Sequence, residues 1–318
     1  MVKITHPGPL QKERLQMVKG TSKTTLKRLP GGGRLIDGLH NLLAANGHHS
    51  GVAELLGGVL SPISYCVPAD GQSGRAVSYS ETRTAAYVKL IFGTAVLGRR
   101  NGDFFMHCHC IWCLPDGTLA AGHLWPETHI GDPGPSVALI SFDGIELTSA
   151  DCKETLLPVF TPQAKFGGQT MSSDMAGPTC RTVVARVLPN EDITDAVLRI
   201  CSDNGFSTAI VRGGTGSLIG ALFEPNSGGP PQKVDGPATE VVTLVGHLES
   251  NQRGRPVVHL SCTLVDKHGN VHAGRLVKGA NPVSVTFELV VQEVNPVPFI
   301  NESHDRAAST DALRLKEK

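Results

Sequence analysis

Three histidines stand out by type and spacing. His107 and His109 flank one cysteine in Met106-His-Cys-His-Cys110, and His123 lies in Gly122-His-Leu-Trp125. Between them runs Leu114-Pro-Asp-Gly-Thr118, a turn sequence. In an extended strand alternate side chains share a face, so His107 and His109 point the same way. A three-residue loop over 115–117, with Gly117 left-handed, is a common hairpin connection. It sets Leu114 opposite Thr118 and therefore His109 opposite His123, with His107 diagonal on that face. A two-residue turn would send His123 to the other side. Three neutral nitrogens on rigid strands suit a divalent metal, zinc first and other late first-row ions after it. Three protein ligands leave a position for water or substrate. Water bound there ionises near neutral pH, or the ion polarises a carbonyl.

Other readings of the segment are weaker. A cupin site also opens with two alternating histidines, but it needs a Glu soon after, and residues 110–114 read Cys-Ile-Trp-Cys-Leu. Cys108, Cys110 and Cys113 offer three thiols, yet the first two alternate with the histidines and face the other side, into a core. Glu127 is near enough in sequence to act as acid or base. Trp125 shares the His123 face and could wall a pocket. The chemistry these residues imply is a metal-dependent hydrolase, hydratase or lyase acting on a small carboxylate-type substrate. The alternatives are a DNA-associated regulatory protein, and a structural or ligand-sensing oligomer whose metal staples a sheet.

The elements that must position these residues occur twice, at a period a little over 150 residues. Residues 27–68 parallel 185–225, and 104–124 parallel 256–276. Each copy opens with a strand and then an amphipathic helix. The first stripe is Leu35, Leu39, Leu42 and Leu43; the second is Ile193, Val197, Ile200 and Cys201. Asn190 is the expected cap of the second helix, and Asn46-Gly47 and Asn204-Gly205 stop the two. Val283, Val285, Phe287, Leu289 and Val291 make a period-2 strand. The fold class expected is α+β: two tandem units, each a largely antiparallel sheet with one main helix. In the second copy His259 matches His107, but Ser261 replaces His109 and Arg275 replaces His123. Arg275, standing where the metal would sit, could instead bind an anion, and Arg212, Arg275 and His259 are candidates to line the substrate pocket.

Composition limits the rest. The 318 residues carry 29 Lys+Arg and 29 Asp+Glu, so the chain is not basic all over and does not coat nucleic acid by charge alone. Apolar residues at 40% suffice for real cores, and 36 Gly with 21 Pro make the chain turn-rich, which excludes disorder, coiled coil and collagen. No apolar run approaches a membrane span, and residues 1–16 lack the apolar stretch of a signal peptide. The expected compartment is the cytoplasm, with the eight cysteines reduced. The expected division is a tail over 1–20, a first unit over 21–162, a linker over 163–180, a second unit over 181–300 and a tail over 301–318.

The helix entry (Leu29-Pro-Gly, Leu188-Pro-Asn-Glu), the Asn-Gly exit, the Gly-rich segment after it, and the order HxH, Asp-Gly, Gly-His-Leu resemble the plant-and-prokaryote-conserved (PPC) domain over nearly all of both copies. The resemblance implies an α+β fold around an antiparallel sheet, a homo-oligomer with trimers favoured, and a metal site at His107, His109 and His123. Plant relatives carry a separate AT-hook for DNA. Arg253-Gly-Arg-Pro256 spells the core of such a hook, but a strand follows at once, so it reads as a strand-entry loop. Nucleic acid is thus an unexpected partner, and a small molecule an expected one.

Overall fold

A computed structural model describes residues 3–72, 74–165, 179–225, 229–251 and 253–294. The expected C-terminal tail, and most of the expected linker, lie outside them. The fold is α+β, a mostly antiparallel assembly of strands with two helices among the described residues, Leu35–Ala45 and Ile193–Asn204. No helix among the described residues is long and apolar enough to cross a membrane.

Both halves follow one plan. After the helix comes a strand (Gly51–Leu56; Ala209–Leu218), then a long hairpin (Val88–Arg100 with Asp103–Cys113; Thr239–Ser250 with Pro256–Val265). A short strand folds back on the hairpin (Leu119–Leu124; Val271–Arg275), and a return strand (Ser136–Asp143; Val283–Glu293) pairs with the post-helix strand. The periodicity explains the helices. Leu35, Leu39 and Leu43 are buried in the first core, and Ile193, Val197, Ile200 and Cys201 in the second.

Two expectations change. The cap of the second helix is Asp192, whose carboxylate accepts from the Thr194 and Asp195 amides at 2.9 and 3.1 Å. Asn190 instead takes a positive φ of 67° and uses its side-chain amide to clasp both backbone groups of Ile4. The N-terminal segment is also no solvated tail. Leu15–Arg28 is a 14-residue strand that pairs first with Cys180–Val187, where Leu15 faces Val187, and then with Ser136–Asp143, where Arg28 faces Ser136. Its latter part is the opening strand of the first half, extended backwards across the second. Its burial does not follow apolar type, with Ser22 buried and Leu26 exposed, so the sequence carries no clear alternation there. Arg14 anchors it, donating to Glu154 at 2.7 Å.

A third apolar cluster joins the halves, with Val52, Val96, Ile140 and Phe142 meeting Val184 and Val290. Gly213 makes the approach close. Its φ is 58°, and a Cβ there would sit 2.3 Å from a Val52 methyl carbon. An alanine would therefore both strain the backbone and clash.

Candidate metal centre

The histidine strand, Asp103–Cys113, does what its alternation requires. Cys108 and Cys110 point into the first core, and His107 and His109 to the opposite face. The Leu114 amide donates to the Thr118 carbonyl at 2.9 Å, Gly117 has a φ of 89°, and Asp116 accepts from the Thr118 amide. This closes the three-residue loop and places His123 opposite His109. His107 Nε2 then lies 3.1 Å from His109 Nε2, which lies 3.2 Å from His123 Nδ1. His109 is fully buried and His123 nearly so.

The far sides of the rings are held by the other half of the chain. His107 Nδ1 is 2.9 Å from Glu288 Oε2, and His109 Nδ1 is 2.8 Å from the Val241 carbonyl and 3.0 Å from Thr215 Oγ1. A carbonyl only accepts, so His109 carries its proton on Nδ1 and offers Nε2 as a lone pair. The carboxylate fixes His107 in the same way. Glu240 Oε2 stands 2.9 Å from that His109 nitrogen. Three ring nitrogens and a carboxylate oxygen thus converge with too few protons to hydrogen-bond one another. That donor set fits a divalent cation. Burial, with His109 and His107 alongside, holds the His123 pKa well below the ordinary value, so the ring is neutral, as a ligand must be. Burial would lower His107 as well, but the Glu288 carboxylate outweighs it and raises the pKa.

Above His107 and His123 opens a cavity of about 220 Å³. Val77, Tyr79 and Trp125 line it from the first half, and Ala238, Glu240 and Val285 from the second. The Tyr79 and Trp125 rings stand 5.2 and 4.9 Å from the His123 ring.

Of the other residues singled out by the sequence, Trp125 alone reaches this site. Glu127 is exposed and does not line the cavity; Glu240 is the carboxylate at the rings. Arg212 is spent on Glu54, which its Nε reaches at 3.2 Å. Arg275 binds Glu224 at 3.2 Å and His259 Nδ1 at 2.7 Å, on a separate surface. There His247, Glu249 and His259 gather a second set of donor atoms, within 4.8 Å of one another but open to solvent. Sequence reasoning missed Glu240, Glu288, Thr215 and Tyr79. No periodicity announced Glu288: Val283–Glu293 alternates apolar with polar, so Ser284, Thr286, Glu288 and Gln292 read as a solvent face, yet all four are buried.

Comparison with known proteins finds chains that resemble parts of this one. The model of the Plants and Prokaryotes Conserved (PCC) domain matches residues 175–295. Among solved structures, a plant- and prokaryote-conserved protein of Pyrococcus horikoshii is 25% identical over 39% of this chain and 87% of its own, with a TM-score of 0.32. A metal-containing protein of Archaeoglobus fulgidus is 18% identical over 43% of this chain and 92% of its own, at 0.35. A candidate DNA-binding protein of Ralstonia eutropha JMP134 is 18% identical over 42% and 88%, at 0.36. No curated protein matches. Residues 175–295 are thus similar to the Plants and Prokaryotes Conserved domain, and the first half repeats the same order of elements.

Proposed function

We propose that this chain is a PCC-type metal-binding protein that holds one divalent ion, zinc first, at His107, His109 and His123, and presents it to a small molecule in the adjoining cavity. The observation that carries this reading is the convergence of three imidazole nitrogens at 3.1 and 3.2 Å, their other nitrogens being held by Glu288 and by Val241 with Thr215. A bound ion supplies a polarising charge and a water that ionises near neutral pH, which suits hydrolysis, hydration or lyase chemistry. The chain's own residues do the rest. Glu288, Val241 and Thr215 orient the rings, Tyr79 and Trp125 exclude bulk water, and Glu240 stands where it can ligate the ion or hold a proton. Two units, 21–162 and 181–300, share the work, the first giving the imidazoles and the second their supports. Closure into an oligomer of three chains is supported by Leu56, Tyr87 and Ile91, apolar side chains exposed on the first half. Light scattering should then return a multiple of 33.6 kDa.

The test is elemental analysis of the purified, metal-supplemented protein. One tightly held ion is expected, and His109→Ala should lose it while the circular dichroism spectrum is kept. A wild-type chain that takes up no ion overturns the reading.

Association with DNA is the second reading. Its support is the description of neighbours as candidate DNA-binding proteins, together with Lys19, Lys27 and Arg28 exposed on the strand that joins the halves. Arg253 and Arg255 lie in a turn closed by the Asn251 side chain, which accepts from both their amides, rather than in an extended arm. Such a surface gives weak binding that falls steeply with salt. A nanomolar, sequence-specific complex at about 0.15 M salt would make this second reading the first.

A further inference from the structure

The cavity beside the imidazoles says what kind of molecule it takes, and this inference rests on the metal reading above. Its walls are apolar. Val77, Leu157, Val159, Ala238 and Val285 form one buried cluster there, and Phe105 and Phe160 add aromatic surface. An engineered apolar cavity of about 150 Å³ holds benzene. The cavity here, at about 220 Å³, has room for one ring and a short head group.

The charges around the head group are already matched. Glu240 and Glu288 each stand 2.9 Å from an imidazole of the triad, and two carboxylates offset the two charges of a divalent ion. Among the described residues that line the cavity, Arg100 is the one guanidinium or ammonium. It is committed to Asp151 at 2.8 Å and lies 5.5 Å from the Phe105 ring centre. A ligand carboxylate would add a third negative charge in a low-dielectric site with no free cation to meet it. A neutral donor adds none. Trp125, in the wall, has its indole N–H buried without an acceptor among the described residues, so a second polar atom on the head group would find a donor.

We infer that the site takes an uncharged molecule with an apolar, ring-sized body and a carbonyl or hydroxyl oxygen directed at the centre, in place of the carboxylate substrate expected from sequence.

Benzamide, benzoate and acetamide test this, because the first two are nearly isosteric and the third lacks the ring. Titration calorimetry is run on chain whose metal content has first been measured. Benzamide should bind at least tenfold tighter than benzoate, against the order expected of a free zinc ion. It should also bind at least tenfold tighter than acetamide, from burial of the ring. Ala238→Leu, or Leu157→Phe should the first variant not fold, should abolish benzamide binding and leave the metal content unchanged. Benzoate equal to or tighter than benzamide, acetamide equal to benzamide, or no binding of benzamide to loaded chain overturns the inference while the metal reading stands. A chain that takes no metal fails the metal reading and this inference together.

Discussion

Glu288→Gln should weaken metal binding at a site whose three histidines all lie in the other half of the chain. Glu288 is buried, and its two oxygens are divided. Oε2 serves His107 Nδ1 at 2.9 Å, while Oε1 accepts from the Phe160 amide at 3.3 Å and from Thr286 Oγ1 at 3.2 Å. A glutamine has one oxygen for both sides. If it stays with Phe160 and Thr286, its NH2 faces His107 Nδ1 and makes that nitrogen an acceptor. The proton then moves to Nε2, the atom that should ligate. If the oxygen turns to His107, two buried donors lose their acceptor. Either way a hydrogen bond to a charged group, about 1.5–3 kcal/mol, is replaced by a neutral one of about 0.5–1.5 or by none. The difference, about 1–2 kcal/mol, is roughly 5- to 30-fold in affinity at about 1.4 kcal/mol per tenfold. Changes to groups that orient metal-bound histidines usually cost about 10- to 100-fold. A weakening of about 5- to 100-fold is therefore expected, read by competition with a chromophoric chelator, with circular dichroism to show the sheet intact. A folded Glu288→Gln chain that binds zinc within threefold of the parent would refute the idea that the second half sets the tautomer of His107.

Other outcomes follow from the same structure. Metal titration should stop at one tight ion per chain, since His247 and Glu249 are solvent-exposed, His259 is only half-buried, and the Arg275 guanidinium sits 2.7 Å from His259; a second ion of equal affinity would contradict this. Asp192→Ala should cost about 1–3 kcal/mol in urea unfolding, because the helix cap and the buried acceptor for the Asn281 amide go together; a loss under about 0.5 kcal/mol would show the cap to be idle. Asp266 is pushed up by burial, but hydrogen bonds from His272, Asn270 and the His268 amide win and lower its pKa. Its stabilisation is thus present above the unfolded carboxylate value of about 3.9 and is lost as pH falls through the lower folded one. Asp266→Asn should accordingly flatten the acid limb of the stability curve, and an unchanged limb would show the network to be inert.

What could be read from sequence was local. The alternation of His107 with Cys108, and a loop whose Gly117 tolerates positive φ, determine a face and a register within twenty residues, and His123 falls opposite His109 with no help from the rest of the chain. The helix stripes are local in the same sense. The misses are contacts between distant segments. Glu288 reaches His107 and Thr215 reaches His109 only because the halves pack through Val52, Phe142, Val184 and Val290, and no periodicity within either half reports that docking. Glu127 was chosen because it was near in sequence, whereas the carboxylate that meets the rings arrives from the strand Thr239–Ser250. Asn190 has a good cap side chain, but its positive φ takes it out of the cap position and leaves the role to Asp192.

The strand Leu15–Arg28 has a consequence for synthesis. It leaves the ribosome long before the strands that it pairs with. Its Arg28 end can pair once Ser136 exists, but Leu15 must wait for Val187. At about 5–20 residues per second, that leaves half a strand unpaired for roughly ten to thirty seconds, a long exposure for a sheet edge. The imidazoles wait slightly longer, because Glu288 lies 181 residues after His107. A nascent chain therefore displays its three histidines well before it can orient them, and under the proposed metal reading firm capture of an ion would await the strand Val283–Glu293.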